Sequence, residues 1–325
     1  MSRLSQLLIA LGFALAACSD QSRDNRTYVL STGTTGGTFY PVGVALSTLV
    51  SAEETDNFSL TAISSAGSME NLKLLRDNQA QFALILGIFA AWAYDGSGPV
   101  SRPQENLRSI SAMWPNVEHF VLRSDLVTSG TIQDLNNLQG ERYSIGMRNS
   151  GAEYTGFYIF DALGIDWAKE LSIAYIGYGP SANALQDGNI AGMNVTAITR
   201  AYALLGDDMT ILSFSEEEIA LINSNFPLWE SYELAPGTYP NQKESIITAA
   251  SPNVLVVRAD VSEEIVYEMT RLLWENLAIL QEIHSATRSM ALESSLTGIP
   301  LPLHAGALRY YEEQGVSIPE YLRGD

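Results

Sequence analysis

Ser31-Thr32-Gly33-Thr34-Thr35-Gly36-Gly37-Thr38-Phe39-Tyr40-Pro41 joins a short apolar strand, Tyr28-Val29-Leu30, to a segment in which Val42, Ala45, Leu46, Leu49 and Val50 recur at helical spacing. A strand that turns through glycines and hydroxyls into an amphipathic helix belongs to an α/β fold. The first N–H groups of such a helix lack internal partners and point at whatever fills the turn. Gly36 and Gly37 permit positive φ and close approach of a guest, Thr38 is placed to cap the helix, and Pro41 suits its first turn. An anion or carboxylate is the natural guest, which makes Thr34, Thr35, Gly36, Gly37, Thr38, Phe39 and Tyr40 candidate binding residues. The competing reading is a tight turn that binds nothing.

The same grammar repeats along the chain. Strand Phe58 to Ile63 runs into Ser64-Ser65-Ala66-Gly67-Ser68, then a helix with Met69, Leu72 and Leu75 on one side, then the apolar run Phe82 to Ile88. Ser65, Gly67, Ser68 and Leu86 are candidate ligand contacts on these strand ends. Strands are predicted at Ser109 to Met113 and His119 to Arg123, after which Tyr143 to Gly146 opens a second α/β unit. There Gly146-Met147-Arg148-Asn149-Ser150-Gly151 precedes a helix from about Ala152 to Leu163, and strands follow near Ile173 to Ile176 and Ile190 to Val195. Two further strands, Ser245 to Ala249 and Val254 to Val257, are predicted to be separated by Pro252-Asn253, with one long helix carrying Ile265, Met269, Leu272, Leu273, Leu277 and Leu280. Two parallel-sheet lobes joined near Arg123 to Leu126 and Ala250 to Asn253 would place the loops of both lobes on facing edges, around a crevice.

Composition narrows the function. Acidic residues number 37 against 18 basic ones, a net charge of −19, which argues against a nucleic-acid surface. Only Lys73, Lys169 and Lys243 are lysines, so most positive charge is guanidinium, suited to carboxylates. Arg3, the apolar run Leu7 to Ala17 and Leu15-Ala16-Ala17-Cys18 read as a signal peptide ending in a lipobox, with Cys18 lipidated and residues 19–27 as a tether. Cys18 is the only cysteine, so disulfides and thiol chemistry are not expected.

No catalytic residue is assigned. There is no Gly-x-Ser-x-Gly elbow, and His119, His284 and His304 lie away from the glycine-rich loops in sequence. Metal-ligand spacing and the phosphate-loop and dinucleotide fingerprints are absent, so no metal or cofactor is expected; Glu216-Glu217-Glu218 reads as a solvated helix start. Arg148 and Arg200, each at a strand end of the second unit, are candidates to clamp a carboxylate, together with Asn149, Ser150, Gly151, Ala152 and Thr199. The alternative for each arginine is an exposed side chain near a loop.

Four motifs in order carry a family resemblance: Gly33 to Pro41, Gly67-Ser68-Met69-Glu70-Asn71-Leu72, Pro236-Gly237-Thr238-Tyr239-Pro240, and Gly298-Ile299-Pro300-Leu301-Pro302-Leu303-His304 with Arg309-Tyr310-Tyr311. The chain resembles the TAXI branch of substrate-binding proteins of TRAP transporters. The resemblance implies a two-lobe, type II-like periplasmic binding protein with parallel-type sheets and a cleft between the lobes. It assigns residues 28–123 plus 253–325 to lobe I and 124–252 to lobe II. It also implies an extracytoplasmic receptor that hands glutamate-like or related organic acids to a sodium-driven TRAP permease; with the lipobox at Cys18, a membrane-tethered periplasmic monomer is expected. The chain departs from the family at Leu86-Gly87-Ile88 and at Arg148, so a carboxylate with an apolar portion is the expected ligand. The alternatives are the binding component of an ABC importer or a sensor, and, from another class, a secreted serine-type hydrolase.

Overall fold

The computed structural model describes residues 26–52, 58–196, 208–224, 227–240 and 242–324 of the 325-residue chain. The signal segment, Cys18, most of the tether, Thr199 and Arg200 lie outside the described residues.

The first half of one sheet is built from β1 (Arg26–Ser31), α1 (Phe39–Ala52), β2 (Phe58–Ile63), α2 (Ser68–Arg76) and β3 (Phe82–Leu86). These three strands are parallel, with β1 between the other two. The apolar run after Gln81 does not stay extended, because helix α3 (Gly87–Asp95) starts directly at the end of β3. After it β4 (Leu107–Val117) leads at once into β5 (His119–Arg123), which belongs to a second sheet.

That second sheet contains β6 (Glu141–Ser144), β7 (Leu171–Ala174), β8 (Gly192–Val195) and β9 (Met209–Ile211), in the order β7-β6-β8-β5-β9. Helices α4 (Gly151–Ala162), α5 (Trp167–Glu170) and α6 (Tyr178–Gln186) connect its strands, and α7 (Glu216–Ile222) follows, closed by a Ser215–Glu218 capping box that accounts for the triple-glutamate start. The chain then returns through β10 (Glu230–Leu234) and β11 (Ile246–Arg258) to complete the first sheet, order β10-β11-β3-β1-β2 with β4 on β11.

Both sheets are mixed: β11 runs antiparallel to β3, β4 and β10, and β5 runs antiparallel to β8 and β9. The lobes therefore meet where Val117 pairs with Ala250, and Glu118 donates its N–H to Ala249 O (2.9 Å). Of the two expected crossings, the one beginning at Ala250 falls at this junction, within the continuous strand β11, whereas on the other strand the chain passes between the sheets at Glu118, before β5, and Arg123 ends a strand of the second sheet.

Pro252 does not break β11. It sits at a register irregularity, where a missing N–H removes no ladder bond, and its ring is accommodated by two glycines. A Cβ on Gly87 would lie 2.9 Å from Pro252 Cγ, and one on Gly298 3.0 Å from the same atom. The predicted long helix is likewise two, α8 (Glu263–Glu275) and α9 (Leu277–Ile283), parted at Asn276, whose side chain donates to Leu272 O (3.1 Å).

The core of the first lobe is the buried face of α8, with Ile265, Val266, Met269, Leu272 and Leu273, packed on α10 (Ala305–Glu313) and the sheet. Fully burying one such side chain contributes about 1.5–3 kcal/mol. Trp274 Nε1 donates to Tyr311 Oη (3.0 Å), which donates to Ile110 O (3.1 Å), so the two large polar rings are buried with partners.

Gly87→Ala is expected to lower stability by about 1–3 kcal/mol through overpacking against Pro252, read as a drop in the thermal unfolding midpoint. An unchanged midpoint would show that the Pro252 ring yields freely.

Candidate functional site

Four helices point their N-termini at one place between the lobes. Thr38 and Phe39 open α1, Gly67 and Ser68 open α2, Ser150 and Gly151 open α4, and Gly177 and Tyr178 open α6; all eight line a single cavity of about 50 Å³. Gly33, Thr34, Gly37, Ala66, Leu86, Trp114, Met147 and Thr196 complete the wall. At about 10–15 Å³ per water this is room for roughly four water-sized groups. No described lining residue carries a charge. What the cavity offers is first-turn N–H groups, hydroxyls and the positive ends of four helix dipoles, a set that suits an anion.

The loops are braced from below by buried polar side chains. Asn71 Nδ2 donates to Thr32 O (2.6 Å) and Leu84 O (2.8 Å), Ser65 Oγ donates to Asn71 Oδ1 (2.7 Å), and Thr32 Oγ1 donates to Ile63 O (2.6 Å). Ser68 Oγ accepts from Leu86 N (3.1 Å), and Ser150 Oγ caps α4 by accepting from Glu153 N (3.1 Å). Thr38 behaves differently. Its hydroxyl, although 2 % exposed, has no hydrogen-bond partner and does not cap α1. A buried hydroxyl without a partner costs about 1–3 kcal/mol, so Thr38 Oγ1 is a polar group held ready for a guest.

The floor in the second lobe is Tyr178, whose hydroxyl lies 2.9 Å from Thr196 Oγ1. Burial pushes the Tyr178 phenol up to about 12, so it stays a neutral hydrogen-bonding group. Glu118, close enough to act on the Tyr178 phenol, is fully buried at the crossover between β4 and β5. Burial raises its carboxyl to about 8, and Asn116 Nδ2 donates to Glu118 Oε1 (3.3 Å). Burial thus favours the neutral carboxyl near pH 7.

The structure brings together Thr34, Gly37, Thr38, Phe39, Gly67, Ser68, Leu86, Ser150 and Gly151 of the expected residues. Thr35 and Tyr40 instead line an apolar groove outside the cavity, beside Val44 and Ile279. Gly36 faces the other lobe, with Gly179 N 3.7 Å from a built Cβ, and Ser65 is engaged below. Ala152 is buried within the first turn of α4, and Asn149 bonds Lys73. Arg148 is not among the residues of the cavity wall. It is exposed, and its guanidinium lies 3.7 Å over the Tyr175 ring, a cation–π pair that turns it from the cavity. Gly33, Ala66, Trp114, Met147, Gly177, Tyr178 and Thr196 are wall residues that the sequence reading missed; Gly177-Tyr178-Gly179, after a strand, repeats the signal of the first loop.

The histidines serve the fold. His119 Nδ1 lies 2.9 Å from Val117 O and Nε2 2.7 Å from Tyr239 Oη, and burial lowers it to about 4. His284 and His304 accept N–H groups of Ala286 and Gly306. None of the three lines the cavity. Among the described residues no cluster of His, Cys, Asp or Glu could hold a metal ion, and no helix is long and apolar enough to cross a membrane.

Residues 30–315 match the model of the NMT1-like family. Solved structures share the two-lobe α/β fold. The periplasmic binding protein BugD is 15% identical, with a TM-score of 0.54 over 90% of this chain and 94% of that one. PhnD1 from Prochlorococcus marinus, in complex with methylphosphonate, is 12% identical, TM-score 0.52, covering 80% and 91%. A protein described as an L-cystine ABC transporter from Listeria monocytogenes is 10% identical, TM-score 0.51, covering 81% and 97%. At these identities the likeness is one of fold, that of type II-like periplasmic binding proteins.

Glu118 gives a pH signature. Unfolded, its carboxyl ionises near 4.5; folded, near 8. Between those values the folded chain keeps a proton that the unfolded chain has released, so this contribution is complete below about pH 4.5 and is lost as pH rises through about 8. Relative to Glu118→Gln, the wild-type unfolding midpoint should fall by several degrees between pH 5 and pH 8. Parallel curves would mean the carboxyl is not held neutral.

Proposed function

We propose that this chain, which belongs to the NMT1-like family, is an extracytoplasmic solute-binding receptor that traps a small organic monoanion between its lobes and delivers it to a membrane importer. The observation that carries this reading is the convergence of four helix N-termini, two from each lobe, on an uncharged cavity with an unpartnered buried hydroxyl. Such a site holds negative charge by neutral donors, and needs the lobes together to do so. Phe39, Leu86, Trp114 and Met147 supply the apolar part of the wall, so a carboxylate with a short apolar portion fits. A second carboxylate or an ammonium group meets no charged partner among the described lining residues, which ranks short monocarboxylates above glutamate. The methylphosphonate held by one structural neighbour is of similar size and charge.

For the partner, an ABC-type importer is the reading the structural neighbours favour, since one is described as an ABC transporter component. The TRAP permease remains the reading of the four sequence motifs. Uptake into vesicles reconstituted with either importer separates them: ATP-dependent transport supports the first, transport driven by a sodium gradient the second. Cys18 is proposed as a lipid anchor, so Cys18→Ser should move the protein from the membrane to the soluble fraction. The hydrolase reading has no imidazole at the cavity to activate a hydroxyl, and a fluorophosphonate probe should leave the chain unlabelled.

Calorimetry with acetate, propionate, methylphosphonate, glutamate and a neutral sugar tests the ligand class. Small monoanions are expected to bind; binding of the sugar alone would overturn the reading. Thr38→Val should weaken the best anion about tenfold or more, the scale of one hydrogen bond to a charged group, while Arg148→Ala should change it less than about twofold.

A further inference from the structure

Asn149 lies in the loop before α4, in the second lobe, yet two of its three hydrogen bonds cross the cleft. Its carbonyl oxygen accepts the N–H of Glu70 (3.3 Å), and its Oδ1 accepts from Lys73 Nζ (2.7 Å), both on α2 of the first lobe. Its own N–H donates to Glu153 Oε2 (2.5 Å), which ties the loop to α4. Glu70 is the third residue of α2, so its N–H is one of those that a helix cannot satisfy internally. Gly67, at the cap position of that helix, supplies no side-chain bond. The first turn of α2, which also lines the anion cavity, is thus capped by the opposite lobe.

The backbone of Asn149 is turned for this task. Its φ is 65°, in the left-handed region, where asparagine is tolerated far better than alanine. Only a residue that both adopts this turn and carries a side-chain acceptor can offer a carbonyl to α2 and an amide oxygen to Lys73 at once. Glycine would keep the turn and lose the amide. Close approach is provided on both sides, since a Cβ on Gly67 would lie 3.4 Å from Gly151 N.

We propose that Asn149 is the clasp that holds the two lobes closed and sets how long the solute stays bound. The part about the solute rests on the receptor reading; the part about closure does not. Both cross-cleft bonds exist only with the lobes together, and on opening Lys73 and the α2 N–H return to water. Asn149 therefore acts on the closed state alone and should govern dissociation rather than association.

The test uses the full chain and the variants Asn149→Ala, Asn149→Gly and Lys73→Met. Small-angle X-ray scattering without ligand reads closure, and stopped-flow binding of methylphosphonate, or of propionate, reads the rates. Asn149→Ala and Lys73→Met are expected to shift scattering toward the open form and to raise the dissociation rate about tenfold, with association changed less than about twofold. Asn149→Gly should fall between wild type and alanine, and keeps the test open where alanine folds poorly. Unchanged scattering and dissociation in all three variants would overturn the proposal. Should no probe bind even the wild type, the receptor reading fails, and the scattering alone decides the clasp.

Discussion

Every α-helix leaves its first N–H groups without partners, and this chain arranges its two sheets so that four such helix ends share one small space. The requirement explains features that are otherwise unrelated. Loops at the strand ends carry glycine because backbone must approach backbone there, as where Gly67 faces Gly151 and Gly36 faces Gly179. Asn71 and Thr32 are buried and Ser65 half-buried polar residues that hold the loops from below without spending the donors that face inward. Burial favours the neutral form of Glu118, which lies close enough to act on the Tyr178 phenol.

Much of this was legible in the residues. The stretch Gly33 to Pro41 announced a strand-to-helix turn with exposed donors, and the structure places five of its residues at the cavity: Gly33, Thr34, Gly37, Thr38 and Phe39. The repeated grammar of strand, small polar loop and helix gave the two lobes and the facing edges. Periodicity could not say where an apolar run stops being a strand. Phe82 to Ile88 reads as continuous, and only the Pro252 ring, brought next to Gly87 from far along the chain, shows why the helix begins at that glycine.

The arginine at 148 lies apart from the cavity wall for a similar reason. A guanidinium one residue before Asn149 looks aimed at a carboxylate, but Tyr175, on the neighbouring strand's exit, offers its ring face instead. Conversely, Trp114 gave no signal as a ligand contact. It comes from the middle of a long strand, and reaches the cavity only because β4 runs on into the second lobe. Non-local contacts of this kind are set by sheet topology, which spacing along one segment does not encode.

That topology has a consequence for how the molecule comes into being. The second sheet uses only strands between His119 and Ile211, whereas the first lacks β10 and β11 until residue 258 has been made. On emergence from a ribosome or a translocation channel, the inserted lobe can close its sheet while β1, β2 and β3 still wait for their antiparallel neighbour. The long strand that returns at Ile246 is therefore the piece on which completion of the whole molecule turns, and a chain cut before it would leave β3 with an open edge.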